Sequence, residues 1–193
     1  MKKSLQDLGL TIQGGQIAQR LVVDKTRGEK GVVIPTIVAK TVKSGYLSHE
    51  DVVMNEYRSG TDAKKLTTKG DVIIKLTQPL GACLIGEGEE GMLVTSFCAI
   101  INGFNEKVID PRYLVAFLNS KTGMQEIASR MGGSTIQTIS LGSLKALQIP
   151  VPELKIQKEI ISAFEKKIKV EKLALSLSSL YQEKLDAMIA EEE

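Results

Sequence analysis

One punctuation mark divides this chain. An apolar, strand-like run from Leu141 reaches Pro150-Val151-Pro152, and from Glu153 to the last residue there is neither Gly nor Pro. Neither proline can donate a ladder hydrogen bond, so the strand stops there. Nothing beyond them interrupts a helix, and one long helix is predicted. At roughly 1.5 Å per residue, about 38 helical residues extend about 55 Å, longer than the preceding portion is wide. Ile161, Phe164 and Ile168 are spaced three and four apart, as are Leu173, Leu177 and Leu180, with Leu185, Met188 and Ile189 further on. The step of five from Ile168 to Leu173 breaks a strict heptad, so the stripe wraps around the helix or changes partner there. Glu165 with Lys169 and Glu153 with Gln157 suit a solvated opposite side. Much of this helix cannot pack on its own domain. Its seam, Ile161, Phe164, Ile168, Leu173, Leu177 and Leu180, is expected to meet a partner helix from another copy or another subunit. The alternative is a helix folded back as two shorter pieces over the sheet.

Upstream, residues 1–152 read as strands followed by helices. "LGLTIQGG" is a short strand or helix end running into a Gly14-Gly15 turn; "KGVVIPTIVAKTVKSGYLS" is a strand, a break at Pro35 and a second strand before the Ser44-Gly45 turn. A turn at Lys69-Gly70-Asp71 precedes the β-branched run Val72-Ile73-Ile74, a loop at Gln78-Pro79-Leu80-Gly81 and a strand from Ala82 to Ile85; "GMLVTSFCAIINGF" adds one more. Asp110-Pro111 starts a helix, because Asp caps free amides and Pro is acceptable at the first helical position. Leu114, Phe117 and Leu118 share a face of it, Gly123 punctuates, and Met124, Ile127, Ala128 and Met131 form a second stripe ending at Gly132-Gly133. The expected fold is α+β: a mixed, mainly antiparallel sheet domain over residues 1–152, then one long helix over 153–193.

Composition then excludes several classes. At 193 residues, 42% hydrophobic and 25% charged, the chain can bury one core plus an appendage. The longest apolar runs fall far short of the ~20 residues that span a bilayer, and "MKKSLQDLGL" has no signal-peptide core, so a soluble, cytoplasmic protein without a membrane partner is expected. Cys83 and Cys98 lack CxxC spacing and the only histidine is His49, which favours two buried thiols over a zinc site or a Cys-His nucleophile. No metal and no cofactor is expected. Residues 1–152 hold 18 Lys+Arg against 14 Asp+Glu, and residues 153–193 hold 7 against 9. The mild basic excess of the first part is compatible with a polyanionic partner.

The ordered pieces "KGDVIIKLTQPLGACLIGE" and "IDPRYLVAFLNSKTGMQEIASRMGGSTIQTISLGSLKALQIPVPELKIQKEI" resemble the specificity subunit of type I restriction-modification systems. The resemblance covers almost the whole chain. Its most specific parts are Gly70-Asp71-Val72, Pro111 through Tyr113-Leu114, Gly133-Ser134-Thr135 with Ile139, and Ile149-Pro150-Val151-Pro152 with Gln157. The resemblance implies a target-recognition domain that binds double-stranded DNA, followed by a spacer and dimerisation helix. It further implies a non-catalytic scaffold for methyltransferase subunits and, where present, restriction subunits. Full-length relatives carry two recognition domains and two antiparallel helices, so this chain looks like a half-subunit that forms a homodimer or pairs with another specificity chain.

DNA reading needs polar side chains for base edges and cations for phosphates. The candidates are Gln13, Gln16 and Arg20 in the first loop; Lys40 and Lys43 near the second strand; Lys75, Thr77 and Gln78 in the central loop; and Arg130, Ser134, Thr135 and Gln137 after the short helices. Gln78 and Gln137 are the foremost, since a loop glutamine can meet adenine in bidentate fashion. Gly132, Gly133 and Ser134 either cradle a phosphate or simply form a helix end and turn. Two other functions compete with this one. A small methyltransferase requires an Asn/Asp-Pro-Pro-aromatic loop, and Gln78-Pro79-Leu80-Gly81 is not one. An interaction protein that docks on the methyltransferase without reading DNA needs only the fold and the helix.

Overall fold

The computed structural model describes residues 2–58 and 65–190. Nine strands and four α-helices are assigned among them: β1 (Lys2–Ser4), β2 (Thr11–Gly14), β3 (Val32–Ile37), β4 (Val53–Tyr57), β5 (Val72–Lys75), β6 (Ala82–Leu84), β7 (Leu93–Val94), β8 (Cys98–Asn102), α1 (Pro111–Leu118), α2 (Lys121–Ala128), α3 (Leu141–Lys145), β9 (Gln148–Pro150) and α4 (Leu154–Ala190). The central sheet has the order β2-β8-β5-β6 and is antiparallel throughout. A second sheet, β4-β3-β7, contains the parallel pair β3/β7, and β1 forms a two-stranded antiparallel ribbon with β9. The fold is therefore α+β, mixed and mainly antiparallel, with a long C-terminal helix.

Side-chain alternation along the central strands explains why there are two cores. Val72, Ile74, Ala82, Ala99 and Ile101 point to one face, where they pack with Tyr113, Leu114 and Leu118 of α1 and with Ile127 of α2. Ile73, Cys83, Cys98 and Ile100 point to the other, against Ile37 of β3 and Val94 of β7. With both faces covered, β5 is buried along its whole length, and so reads as a continuous apolar run. Both cysteines are free and buried in the second core, and burial pushes the Cys98 thiol up to about 12 and Cys83 higher still.

Several expectations need correction. Pro35 does not break its strand: β3 runs through it, opposite Met54 of β4, and β7 joins only at Thr36 and Ile37. At Pro35 the strand thus has an edge, where a residue without an N–H is tolerated. The expected second strand after it is a 3₁₀ turn at Ala39–Thr41. "GMLVTSFCAIINGF" holds two strands, β7 and β8, rather than one; β1 and β4 were not expected, and the run expected to be strand-like from Leu141 begins as α3, with only β9 extended before the prolines. Gly123 does not punctuate. The helix pair breaks at Asn119 and Ser120, and Gly123 lies inside α2, where a Cβ would stand 1.9 Å from the Phe117 carbonyl oxygen. It permits the two helices to meet in a tight corner.

α4 is one helix of 37 residues, not two pieces. Gln157, expected on a solvated side, is instead buried, as is Ile161; Phe164 packs against the first core, and Ile168 approaches Gly45. Lys172 Nζ then lies 3.9 Å from the centre of the Tyr46 ring. Ile161, Phe164 and Ile168 therefore face their own body, which corrects the expectation that they meet a partner helix. Leu173, Leu177 and Leu180 are 61%, 54% and 61% exposed. Leu177 comes nine residues after Ile168, about half a turn around the helix at 3.6 residues per turn, so the step of five marks where the apolar stripe leaves the body. No helix among the described residues is long and apolar enough to cross a membrane.

Candidate nucleic-acid interface

Antiparallel register brings the relevant loops to one end of the central sheet. At that end β2 finishes and β8 starts (Gly14 opposite Ala99), while β5 finishes and β6 starts (Ile74 opposite Ala82). Backbone bonds extend the arrangement outward. Gly15 N–H donates to the Cys98 carbonyl at 2.9 Å, Ser96 N–H to Gln16 at 2.8 Å, and Leu76 N–H to Phe97 at 2.9 Å. The loop after α2 closes on itself, since the N–H groups of Gly132 and Thr138 donate to each other's carbonyls at 2.9 and 2.8 Å. Ile139 N–H then donates to the Leu76 carbonyl at 2.9 Å, which seats this loop beside the central one.

The loop from Gly132 to Thr138 therefore holds Ser134, Thr135, Ile136 and Gln137 out in solvent. Gly133 has φ +117°, and a Cβ there would lie 2.4 Å from the Ile136 carbonyl oxygen, so this tight loop demands glycine. Gln78 is exposed; its Nε2 donates to Met131 Sδ at 3.6 Å and its Oε1 accepts the Leu80 N–H at 3.2 Å. Thr77 is buried and bridges to Thr138. Gln78 and Gln137, the two foremost candidates, thus lie on adjoining loops joined by the Thr77–Thr138 bridge. Gln16 bridges to Thr95, and its Oε1, like Thr95 Oγ1, is buried without a hydrogen-bond partner among the described residues. Gln13 is half-buried in β2, opposite Ile100, and Arg20 is exposed in the 3₁₀ turn Ala18–Arg20.

The candidate cations fare differently. Lys40 and Lys43 both reach Asp51, at 3.4 and 2.9 Å, and the hydrogen bond from Lys43, followed by one from Ser48, holds that carboxyl down at about 2. Lys75 is only 7% exposed, and burial lowers its pKa. A side chain so enclosed is not presented to a phosphate, which corrects the expectation for Lys75. Arg130 pairs with Glu126 at 2.8 Å across one helical turn. Residue type alone pointed to these lysines, but their partners lie elsewhere in the chain. The sequence also hid three exposed apolar side chains at this end: Ile17, Phe97 and Ile136 at 45%, 57% and 63% exposure. Along α4, Ile156, Ile160 and Val170 are likewise exposed and were not singled out.

Among the described residues no three His, Cys, Asp or Glu side chains converge as they would to hold a metal. The arrangement offers amide and hydroxyl groups on rigidly bridged loops, with a protruding helix beside them.

Residues 15–176 match the family described as the type I restriction modification DNA specificity domain, and the chain belongs to that family. Over 122 residues it is 30% identical to a protein of Haemophilus influenzae named as a type I restriction enzyme specificity subunit, a match covering 63% of this chain and 29% of that one. Its fold is similar to the S subunit of a type I restriction-modification system from M. genitalium (TM-score 0.54, 16% identity, 90% of this chain and 40% of that one). The HsdS subunit from Thermoanaerobacter tengcongensis is also similar (TM-score 0.56, 18% identity, 93% of this chain and 47% of that one). The chain thus spans less than half the length of each of these relatives.

Proposed function

We propose that this chain is a non-catalytic DNA-recognition unit of a type I restriction-modification system, acting in the cytoplasm. It binds one half-site of a double-stranded DNA target and carries a methyltransferase subunit, and a restriction subunit where the system has one. Residues 1–152 form the reading unit and residues 153–193 the arm, whose first half, to Lys172, is braced on the body. The observation that carries this reading is the convergence of Gln78, Ser134, Thr135 and Gln137 on one end of the central sheet, from segments far apart in sequence. Amide and hydroxyl groups held on bridged backbone suit base-edge recognition in the major groove.

The arm supports a second role. The exposed stripe Leu173, Leu177 and Leu180, extended by Ile156, Ile160 and Val170, suits pairing with a second helix from another copy or another specificity chain. A stiff helical pair fixes the separation of two reading units, and hence of two half-sites. A gel-shift assay at low salt, with and without the cognate methyltransferase subunit, tests the reading. Sequence-dependent retention is expected with the methyltransferase present. Methyltransferase binding without any DNA preference would instead support an interaction protein that does not read DNA.

A further inference from the structure

Phe97 stands out at the proposed reading end. It occupies the tight turn between β7 and β8, in which the Cys98 N–H donates to the Thr95 carbonyl at 2.9 Å, and more than half of its surface is exposed. Its backbone is locked from two directions. The Phe97 carbonyl accepts the Leu76 N–H on the β5 side, and the Ser96 N–H donates to the Gln16 carbonyl on the β2 side. The exposed Phe97 is therefore carried on backbone held between the Gln16 segment and the Leu76-Thr77-Gln78 segment. With strands about 4.8 Å apart, those two segments are separated by roughly 10 Å, close to the ~12 Å width of a major groove and about three base-pair steps long. Together with Ile17 and Ile136, which are also exposed at this end, Phe97 gives the proposed reading surface an apolar side chain that DNA can meet. In the major groove the apolar feature of a base pair is the thymine C5-methyl group. The adenine of that same pair offers the N6/N7 edge that glutamine recognises.

We infer that Phe97 is a specificity-determining residue that packs on a thymine methyl group within the half-site, beside an adenine contacted by a neighbouring glutamine. The inference rests on the DNA-reading proposal and refines it. The test uses the full chain in complex with its methyltransferase subunit and duplexes carrying the motif found by mapping methylated positions. Each thymine of the half-site is replaced in turn by uracil, which removes the methyl group alone. For the unmodified protein one such replacement should weaken binding about fourfold, the worth of one buried methyl. Phe97→Ala should weaken binding to the thymine duplex by at least as much and lose the distinction between thymine and uracil, while Phe97→Leu should keep it. Binding to unrelated DNA should be unchanged in both variants. Equal affinity of the unmodified complex for thymine and uracil at every position overturns the assignment of Phe97 while leaving DNA reading intact. No preference for the motif over scrambled DNA overturns the DNA-reading proposal itself. Loss of methyltransferase binding by Phe97→Ala would make Phe97 a protein-docking residue and likewise overturn the inference.

Discussion

The side chain of Gln157, in the first turns of α4, accepts the backbone N–H of Asp110 through Oε1 at 3.0 Å, at the cap of α1. Its Nε2 donates to the carbonyls of Val108 and Pro152 at 2.9 and 2.8 Å, and the residue is fully buried. One amide thus ties the start of the arm to the start of the helix layer. Gln157→Ala leaves three backbone polar groups to find other partners, and each buried unsatisfied group costs about 1–3 kcal/mol. Urea denaturation should show a loss of about 3 kcal/mol, with Gln157→Glu also destabilised because a carboxylate cannot donate to two carbonyls. A change below about 1 kcal/mol would mean that the tether is not structural.

Gly123→Ala should be destabilising although it places a better helix former inside α2. In an open helix this change gains about 1 kcal/mol. Here the added Cβ collides with the Phe117 carbonyl oxygen at the corner between α1 and α2. Overpacking of this kind costs about 1–3 kcal/mol, and thermal melting should show the sign. A raised melting temperature would contradict the described packing.

Both outcomes bear on what was legible in the sequence. The runs that became β5 and β6, the Asp110-Pro111 start of α1, and α4 were legible because each depends on local pattern: β-branching, a cap, or the absence of breakers. The break at Pro35 and the punctuation at Gly123 were misread for the opposite reason, since a neighbouring strand edge and a helix corner decide those positions. Lys40 and Lys43 looked available because nothing local reveals Asp51 as their shared partner. Lys75 was different. It continues the fully buried strand Val72–Lys75, and that apolar run already signalled an enclosed position. Phe97 was assigned to a strand because a turn residue between two short strands has the same apolar neighbours as a strand interior.

Asp51 gives a pH-dependent prediction. Its carboxyl titrates at about 2 in the folded protein, below its ordinary 3.8, chiefly through the hydrogen bond from Lys43. A depressed acid contributes stability above its unfolded pKa and loses it as pH falls through the folded value. Asp51→Asn should therefore be less stable than the unmodified protein at pH 7, and the gap between their urea midpoints should close as pH drops from about 4 toward 2. The same substitution releases Lys40 and Lys43 and should tighten non-specific DNA binding with a steeper salt dependence. A gap that is constant with pH would show that Asp51 does not act through its charge.

The two halves of α4 should respond oppositely to charge. Replacing Leu173, Leu177 and Leu180 together by Lys should leave the body folded by circular dichroism while abolishing helix-mediated association in light scattering, because all three are exposed. Ile161→Lys should instead unfold the body, since Ile161 lies in the first core at 4% exposure. A triple variant that still associates as the unmodified chain does would place the pairing surface elsewhere.

The central claim, that the chain reads a half-site and that its arm sets the distance to a second one, is tested most directly by mapping methylated positions in cells expressing this chain with its methyltransferase subunit. The unmodified chain should direct methylation to a gapped bipartite motif, and an inverted repeat if two copies pair. Inserting four helix-forming residues after Lys172, whose Nζ lies over the Tyr46 ring, adds about 6 Å. At about 3.4 Å per base pair the gap should change by one or two base pairs with each half-site unaltered. Methylation without a motif, or a motif whose gap ignores the insertion, would contradict the account.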